Sequence, residues 1–191
     1  MEEMLGTASS NPEIHEEYIA SKAPDAPTRA EEVAALGVEE VFEKGMTVFP
    51  RGTDGNPILW DYQIKGFFKD ACQSLRKIPG SECSKIKSYK KEIDGLLFVE
   101  PRAIPITFEG PITTCQRPLR ANTAQGERIA LASSEAIPAG ATIEFEVKLL
   151  LPSHEAAVME MLEYGKLRGF GQWRNSGKGR FTYELQERRE E

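Results

Sequence analysis

A chain of 191 residues falls within the size range of a single domain and is long enough to bury a hydrophobic core. Hydrophobic residues make up 40% and charged residues 28%, a balance that is typical of globular proteins and too apolar for a disordered chain. The formal net charge of −6 by itself argues against a general nucleic-acid-binding protein.

The charge is unevenly distributed along the chain. Residues 1–60 hold twelve acidic and four basic residues, a net charge of −8, whereas residues 61–191 hold eighteen acidic and twenty basic residues, a net charge of +2. An electropositive site is therefore expected in the C-terminal part. The N-terminus has neither a basic region nor an apolar stretch, and no apolar run approaches the roughly 18 residues of a membrane helix. We therefore expect a cytoplasmic protein without a membrane partner.

The first segment in chain order, residues 1–45, is predicted to be an acidic arm with a helical insertion. Its first ten residues are small and polar and are interpreted as disordered or as an arm. Asn11 and Pro12 can begin a short helix, and Thr28 and Glu31 have the spacing of a capping box that begins a second helix. No strand is predicted with certainty before residue 46.

Residues 46–191 are predicted to form one α+β domain. The strongest helix prediction covers residues 61–77, where five apolar residues recur at helical spacing on one face: Ile64, Phe67, Phe68, Ala71 and Leu75. The strand candidates are residues 46–50, 96–100, 103–108, 129–132 and 142–151. A proline, Pro101, ends the second of them.

The C-terminal third follows the order strand, helix, loop, strand. After the strand 142–151, Ser153 can cap a helix that runs to about residue 164. A glycine-rich loop follows, and a last strand is predicted at residues 180–185. Together with helix 61–77 and its flanking strands, this order predicts two β-α-β halves on one antiparallel sheet. That arrangement is a ferredoxin-like (RRM-like) fold with two helices, insertions and a C-terminal glycine-rich loop.

The loop after the second helix contains the residues best suited to bind phosphate. Residues 165–180 include five basic residues and no acidic residue. Glycines let backbone amides approach phosphate oxygens, and guanidinium groups bind phosphate through paired hydrogen bonds. The rings of Phe170 and Trp173 offer flat faces on which unpaired bases can stack. The candidate phosphate-binding residues are Arg168, Gly169, Gly171, Trp173, Arg174, Gly177, Lys178, Gly179 and Arg180. The alternative is a glycine-rich turn with Trp173 and Phe181 in the core and its charges in solvent.

Two further segments add basic residues. Residues 116–128 are polar and basic and are predicted to project from the sheet as a loop that adds Arg117, Arg120 and Arg128 to the candidate site, with a plain solvated loop as the alternative. Lys65, at the start of the first helix, is expected near the glycine-rich loop, where the helix dipole would add to the same anion site. A third cluster is interpreted as a solvated face: Lys85, Lys87, Lys90 and Lys91.

Three segments resemble the RAMP superfamily, the backbone and processing subunits of CRISPR complexes. Segment 56–71, NPILWDYQIKGFFKDA, is similar to the one that opens the superfamily's first helix, and segment 165–181 matches the place and composition of its glycine-rich loop. Segment 134–140, followed by an alternating strand, also resembles these subunits. The resemblance implies a ferredoxin-like fold, RNA as the ligand, and a homo-oligomer or CRISPR-type assembly. The chain is also similar to uncharacterised phage proteins that end in a Gly-x-Gly-x-Trp-Arg loop, which implies a bacterial host.

No catalytic residue, metal or cofactor is predicted. RNA-cleaving backbone subunits of the superfamily carry an aspartate before the first helix, and Asp54 is the nearest counterpart, although its surroundings fit a plain turn. Processing members often use histidine, but His15 lies in the poorly matching N-terminal part and His154 in the first turn of a helix. The three cysteines contain no Cys-x-x-Cys pair and are interpreted as reduced structural thiols.

These features predict non-catalytic binding of single-stranded nucleic acid, RNA in preference to DNA, by a RAMP-like subunit. One alternative is a phage counter-defence protein that sequesters a nucleotide signal or docks on a CRISPR complex. A second alternative is a metal-dependent ribonuclease that uses Asp54. The length of the ligand separates the first two, because a strand-binding protein prefers oligomers and a sequestering protein prefers a mono- or cyclic nucleotide.

Overall fold

The computed structural model describes residues 1–9, 45–123 and 126–186, and the helices predicted between residues 11 and 37 lie outside these ranges. Over the described ranges the chain forms ten strands and four α helices, so it is an α+β protein as predicted. The strands are β1 (Met4–Leu5), β2 (Ala8–Ser9), β3 (Thr47–Val48), β4 (Ile58–Trp60), β5 (Leu97–Glu100), β6 (Ala103–Thr107), β7 (Thr113–Thr123), β8 (Gly126–Ile137), β9 (Thr142–Ile143) and β10 (Glu146–Leu149). The helices are α1 (Asp61–Leu75), α2 (Glu82–Lys85), α3 (Tyr89–Leu96) and α4 (Glu155–Arg168). None of the helices in these ranges is long and apolar enough to cross a membrane.

Strand β8 organises the largest sheet. It pairs antiparallel with β7 from Thr113 opposite Ala136 to Thr123 opposite Gly126, and it also pairs with β1 and β3. The prediction of a loop at residues 116–128 is therefore wrong, because residues 116–123 and 126–128 form the outer part of a long β7–β8 hairpin. The polar and basic composition of this segment predicted a loop, but its backbone pairs residue by residue across the hairpin.

Five other strands form one two-stranded and one three-stranded sheet. β5 pairs with β10, β6 pairs with β9, and β4 pairs with the other end of β6. The predicted strands 96–100 and 103–108 are confirmed as β5 and β6, and Pro101 lies between them. The predicted strand 142–151 is interrupted at residues 144–145 and becomes β9 and β10, while the predicted strand 46–50 is reduced to β3.

Helices α1 and α4 pack on each other, and α1 also packs on β5. The predicted apolar face of α1 is confirmed, since Ile64, Phe67, Phe68, Ala71 and Leu75 are all buried. Burying a side chain of this kind contributes about 1.5–3 kcal/mol. The predicted second helix is also present but begins and ends later than expected. His154 takes the N-cap position instead of Ser153, and the helix continues past residue 164 to Arg168.

The N-terminal residues belong to the core. Met4 and Leu5 are each 1% exposed and pair with Ile137 and Ala136. The expectation that the first ten residues are disordered or an arm is thus wrong for residues 1–9, which supply two strands before residue 46. The small polar composition of this stretch concealed its two apolar residues. The rest of the predicted arm and insertion, residues 10–44, lies outside the described residues, so the predicted domain boundary at residue 45 stays a prediction.

The strand predicted at residues 180–185 is absent from the described part of the chain that follows α4. Residues 181–186 have no regular secondary structure. Phe181 instead packs edge-on against Phe67, with ring centroids 5.4 Å apart, and against Gly165, whose missing side chain leaves room for the ring. Phe181 therefore contributes to packing on the two helices and not to pairing in a sheet.

Candidate nucleic-acid interface

The glycine-rich segment, residues 169–180, folds tightly on itself after α4. Its four glycines, Gly169, Gly171, Gly177 and Gly179, all have positive φ angles between 71° and 88°. A Cβ at Gly179 would lie 1.9 Å from the carbonyl oxygen of Phe170, and one at Gly169 would lie 2.6 Å from that of Lys178. The need for glycine predicted from the sequence is confirmed, but its evident cause is backbone packing within the protein.

Several amides of this segment already have protein partners. Phe170 donates to the carbonyl of Gly179, Gly179 donates to the carbonyl of Glu3, and Gly177 donates to the carbonyl of Arg174. These amides were among those expected to surround a phosphate. The described hydrogen bonds therefore give no support to a phosphate cup made by them.

Most basic side chains of the segment and of the end of α4 are also paired. Arg174 Nη1 lies 2.6 Å from Asp70 Oδ2 on α1, and Arg168 Nε lies 3.8 Å from the same oxygen. Lys178 forms an ion pair with Glu3. The segment contains no acid of its own, but the fold brings carboxylates to it from α1 and from the N-terminus. Its basic charge is largely compensated.

Arg180 and Arg117 are the two predicted arginines in this region without an acidic partner among the described residues. The side chain of Arg180 is exposed and lies over Gly177. Arg117 extends from β7, where it is opposite Ala132, and its Nη2 donates to Gln172 Oε1 at 2.7 Å. Its guanidinium carbon lies 5.4 Å from the centroid of the Trp173 ring. Sequence analysis named both Arg117 and Trp173, and the fold brings them together.

The guanidinium of Arg117 has unused hydrogen-bond donors. Its Nε and Nη1 are buried, and neither has a hydrogen-bond partner in the described part of the chain. A buried donor without a partner costs about 1–3 kcal/mol. Arginine also carries a full charge, so the site is suited to an anionic group that would accept hydrogen bonds from both nitrogens.

Trp173 has an unusual backbone for its type. Its φ angle is 53°, in the left-handed region, and it is the only non-glycine residue with positive φ in the described ranges. Such a conformation costs about 1–2 kcal/mol per residue. The ring nevertheless stays 40% exposed next to Arg117. Strain that holds a large aromatic ring in solvent is typical of binding sites.

Gln172 connects this pair to the rest of the sheet and was missed by sequence analysis. Its side-chain amide donates to the carbonyl of Gly6 at 2.8 Å and to Thr47 Oγ1 at 3.3 Å. Thr47 in turn lies 2.7 Å from the hydroxyl of Ser134. Gln172 stands between Gly171 and Trp173 in the sequence, and a single polar residue in a turn gives no signal of such long-range contacts. It fixes the position of the Arg117 guanidinium.

The remaining predicted site residues lie apart or outside the described side chains. Lys65 Nζ lies 3.2 Å from the carbonyl of Asp94 and 4.6 Å from the centroid of the Phe98 ring. The α1 residues that contact the glycine-rich segment or the arginines beside it are Phe67 and Asp70, so the described contacts give no support to a composite site at the start of α1. Arg120 and Arg128 lie in the outer part of the β7–β8 hairpin, and their side chains are outside the described part.

The residues considered for catalysis have structural partners. Asp54 accepts hydrogen bonds from the side chain and the backbone amide of Asn56, and these bonds hold the pKa of Asp54 below its usual value. His154 lies 3.1 Å from Glu92, and His15 is outside the described residues. In the described ranges no group of three or more His, Cys, Asp or Glu side chains could hold a metal ion.

The cysteines are free thiols. Cys72 and Cys83 are buried in the core, and Cys115 on β7 is half-buried. A hydrogen bond between Cys72 and Cys83 lowers the pKa of Cys72 and raises that of Cys83. This pair lies between α1 and α2, where Cys83 also approaches the carbonyl of Ala157, and it belongs to the core.

Replacing Asp70 with asparagine is expected to strengthen anion binding at this surface. The change removes the carboxylate that neutralises Arg174 and Arg168 but keeps the shape of the side chain. One additional arginine available to phosphate should steepen the salt dependence of single-strand binding by about 0.7. The measurement is fluorescence anisotropy of a labelled RNA at several salt concentrations. Asp94→Asn, which removes a partner of Lys69 elsewhere, is the charge-matched control, and an equal gain in both variants would contradict the prediction.

Comparisons with protein-family models, with curated proteins and with solved structures found no match. The candidate interface is therefore defined by this chain's own residues. It consists of Arg117, Gln172, Trp173 and Arg180, together with the outer part of the β7–β8 hairpin.

Proposed function

We propose that the protein binds a single-stranded nucleic acid, RNA in preference to DNA, without cleaving it. The observation that carries the proposal is the contact between Arg117 and the exposed ring of Trp173, with two guanidinium nitrogens left without partners. A base can stack on the free face of the tryptophan while a phosphate accepts hydrogen bonds from the arginine. Both elements of single-strand recognition are thus present at one position.

The β7–β8 hairpin supports the choice of a polymer over a small nucleotide. Arg120 and Arg128 lie farther along the same two strands than Arg117, with Arg120 opposite Ile129 and Arg128 opposite Ala121. Strand residues alternate between the two faces of a sheet, so Arg128 is on the same face as Arg117 and Arg120 is on the other face. At a rise of about 3.3 Å per residue, Arg128 lies about 13 Å farther along the hairpin than Arg117, more than a single nucleotide needs. The overall charge of −6 argues against unspecific binding to any polyanion and favours a localised site.

The RAMP-like, ferredoxin-like arrangement is part of the same proposal. Two strand–helix units support it. β4 runs directly into α1, and β10 leads through a short 3₁₀ turn into α4. The glycine-rich segment follows the second of these helices, the place that the resemblance to CRISPR subunits implies. In such a protein the bound RNA would be held by several copies or by a CRISPR-type assembly.

The test is equilibrium binding of labelled oligonucleotides to the wild-type chain and to Trp173→Ala. Loss of one stacking platform should weaken binding about tenfold or more, since base–aromatic stacking contributes about 1–3 kcal/mol. Trp173→Phe keeps a flat ring and should retain most of the affinity, and Trp60→Phe changes the other tryptophan as a control. Equal affinity of Trp173→Ala and wild type would refute the proposed site. Displacement of RNA by a mono- or cyclic nucleotide at equal concentration would favour the sequestering alternative.

Bound RNA is expected to stay intact in the presence of magnesium or manganese. The prediction follows from Asp54, whose two carboxylate oxygens accept hydrogen bonds from Asn56 in a local turn. A time course with end-labelled single-stranded RNA measures it. Cleavage by the wild-type chain that disappears in Asp54→Ala would establish the ribonuclease alternative, and Asn56→Ala serves as a control that alters the turn but keeps the carboxylate.

A further inference from the structure

A second basic surface lies at the C-terminal end of α1 and carries uncompensated charge. It consists of Arg76, Lys77, Lys87, Lys90 and Lys91, which we call the lysine patch. Arg76 connects its two parts, because its guanidinium lies 5.0 Å from the Tyr89 ring and its Nη2 lies 3.5 Å from the carbonyl of Lys87. The four lysines are exposed and have no ion pair in the described part of the chain.

The acidic side chains of the neighbouring helices have other partners. Glu82 pairs with Lys85, and Asp94 pairs with Lys69. Glu92 accepts a hydrogen bond from the backbone amide of Ser88 and lies 3.1 Å from His154. The lysine patch therefore differs from the glycine-rich segment, whose basic residues are paired with carboxylates. The positive charge of the patch is therefore available to an external anion. The sequence-based interpretation as a solvated face assigned no ligand to it.

The proposed interface and the patch both adjoin α1. Asp70, which pairs with Arg174 next to Trp173, lies on this helix, and Arg76 caps its C-terminal end. Between them, Gln73 accepts a hydrogen bond from Tyr89, the residue beneath Arg76. Gln73 and Tyr89 thus link the part of α1 that contacts the proposed interface to Arg76 of the patch.

We infer that a nucleic-acid strand held at Arg117 and Trp173 continues along α1 and places phosphates on the lysine patch. This inference rests on the proposed function and extends its footprint. A single strand fits both surfaces. The proposed interface supplies the Trp173 ring, on which a base can stack, and the lysine patch supplies positive charges that can bind phosphates of the same strand. An acidic protein would account for the lysines but not for the contacts along α1 that lead from Arg174 to Arg76.

The experiment compares RNA oligomers of about four and about sixteen nucleotides, lengths that bracket a typical single-strand site. In the triple variant Lys87→Ala, Lys90→Ala and Lys91→Ala, binding of the long oligomer should weaken about tenfold and its salt dependence should fall by about 2, the sum for three phosphate contacts. Binding of the short oligomer should stay as in the wild type. The charge-matched control is Lys85→Ala, Lys148→Ala and Lys166→Ala, which removes three lysines that already pair with carboxylates.

The possible outcomes separate this inference from the proposed function. If the wild type binds neither oligomer, the proposed function fails and the longer footprint fails with it. If the triple variant binds the long oligomer like the wild type, or weakens both lengths equally, the proposed function stands and the extended footprint is overturned. Loss of binding to polyglutamate with RNA binding unchanged would assign the patch to an acidic protein instead. Circular dichroism checks that each variant is folded.

Discussion

Replacing Gly179 with alanine is expected to lower the free energy of unfolding by at least about 3 kcal/mol. The new Cβ would lie 1.9 Å from the carbonyl oxygen of Phe170, and the φ angle of +71° is unfavourable for any L side chain. The backbone cannot move away freely, because Gly179 donates to Glu3 and accepts from Phe170. The bond to Glu3 joins the glycine-rich segment to the N-terminal residues. The substitution should therefore weaken the packing of the glycine-rich segment and of β1 on the rest of the protein.

The control is Gly55→Ala, at a turn where φ is +78° and nothing lies within 4 Å of the new Cβ. This change should cost only the conformational penalty of about 1 kcal/mol. Urea unfolding followed by circular dichroism measures both variants. Equal losses at the two positions would mean that the close approach of Gly179 to Phe170 does not exist in solution.

Helix α1 shows what the sequence can predict about the fold. The spacing of Ile64, Phe67, Phe68, Ala71 and Leu75 follows the helical period, and each of these residues is buried. A helix is stabilised by hydrogen bonds within its own segment, so its pattern can be found locally. β5 and β6 were predictable for a similar reason, since Pro101 marks the boundary between them.

The N-terminal strands and the hairpin show what local patterns cannot predict. Met4 and Leu5 form a two-residue strand whose partners, Ile137 and Ala136, lie far along the chain. Residues 116–123 and 126–128 have the composition of a loop but pair across the hairpin. Pairing between strands depends on contacts between distant residues, and such contacts are not encoded in the composition of either strand alone.

The same limitation applies to the candidate site. The basic residues of the glycine-rich segment were found by counting charges within it, and this count could not include Asp70 or Glu3, which neutralise Arg174 and Lys178. Arg117 and Trp173 were each named for their chemistry. Their contact depends on the register of β7 against β8 and on Gln172, so it could be known only from the fold.

Replacing Arg117 with methionine is expected to weaken RNA binding about tenfold or more without lowering the free energy of unfolding. Methionine keeps an unbranched apolar stem that can pack against Trp173 but removes the guanidinium. The wild-type protein buries Nε and Nη1 of Arg117 without partners, and removing such donors relieves a cost of about 1–3 kcal/mol. One hydrogen bond is lost in exchange, from Nη2 to Gln172. Removal of an arginine that binds a ligand should therefore lower RNA affinity and leave the free energy of unfolding unchanged, whereas removal of a structural arginine should lower the free energy of unfolding.

Arg174→Met is the matched control for this prediction. Arg174 has an acidic partner, Asp70, so its removal leaves a carboxylate without its closest cation and should lower the free energy of unfolding by about 1 kcal/mol. Its effect on RNA binding should be smaller than that of Arg117→Met. Anisotropy titrations and urea unfolding of both variants give the four quantities required. If Arg117→Met destabilises the protein and leaves RNA affinity unchanged, Arg117 is a structural residue, and the contact with Trp173 no longer supports a nucleic-acid site.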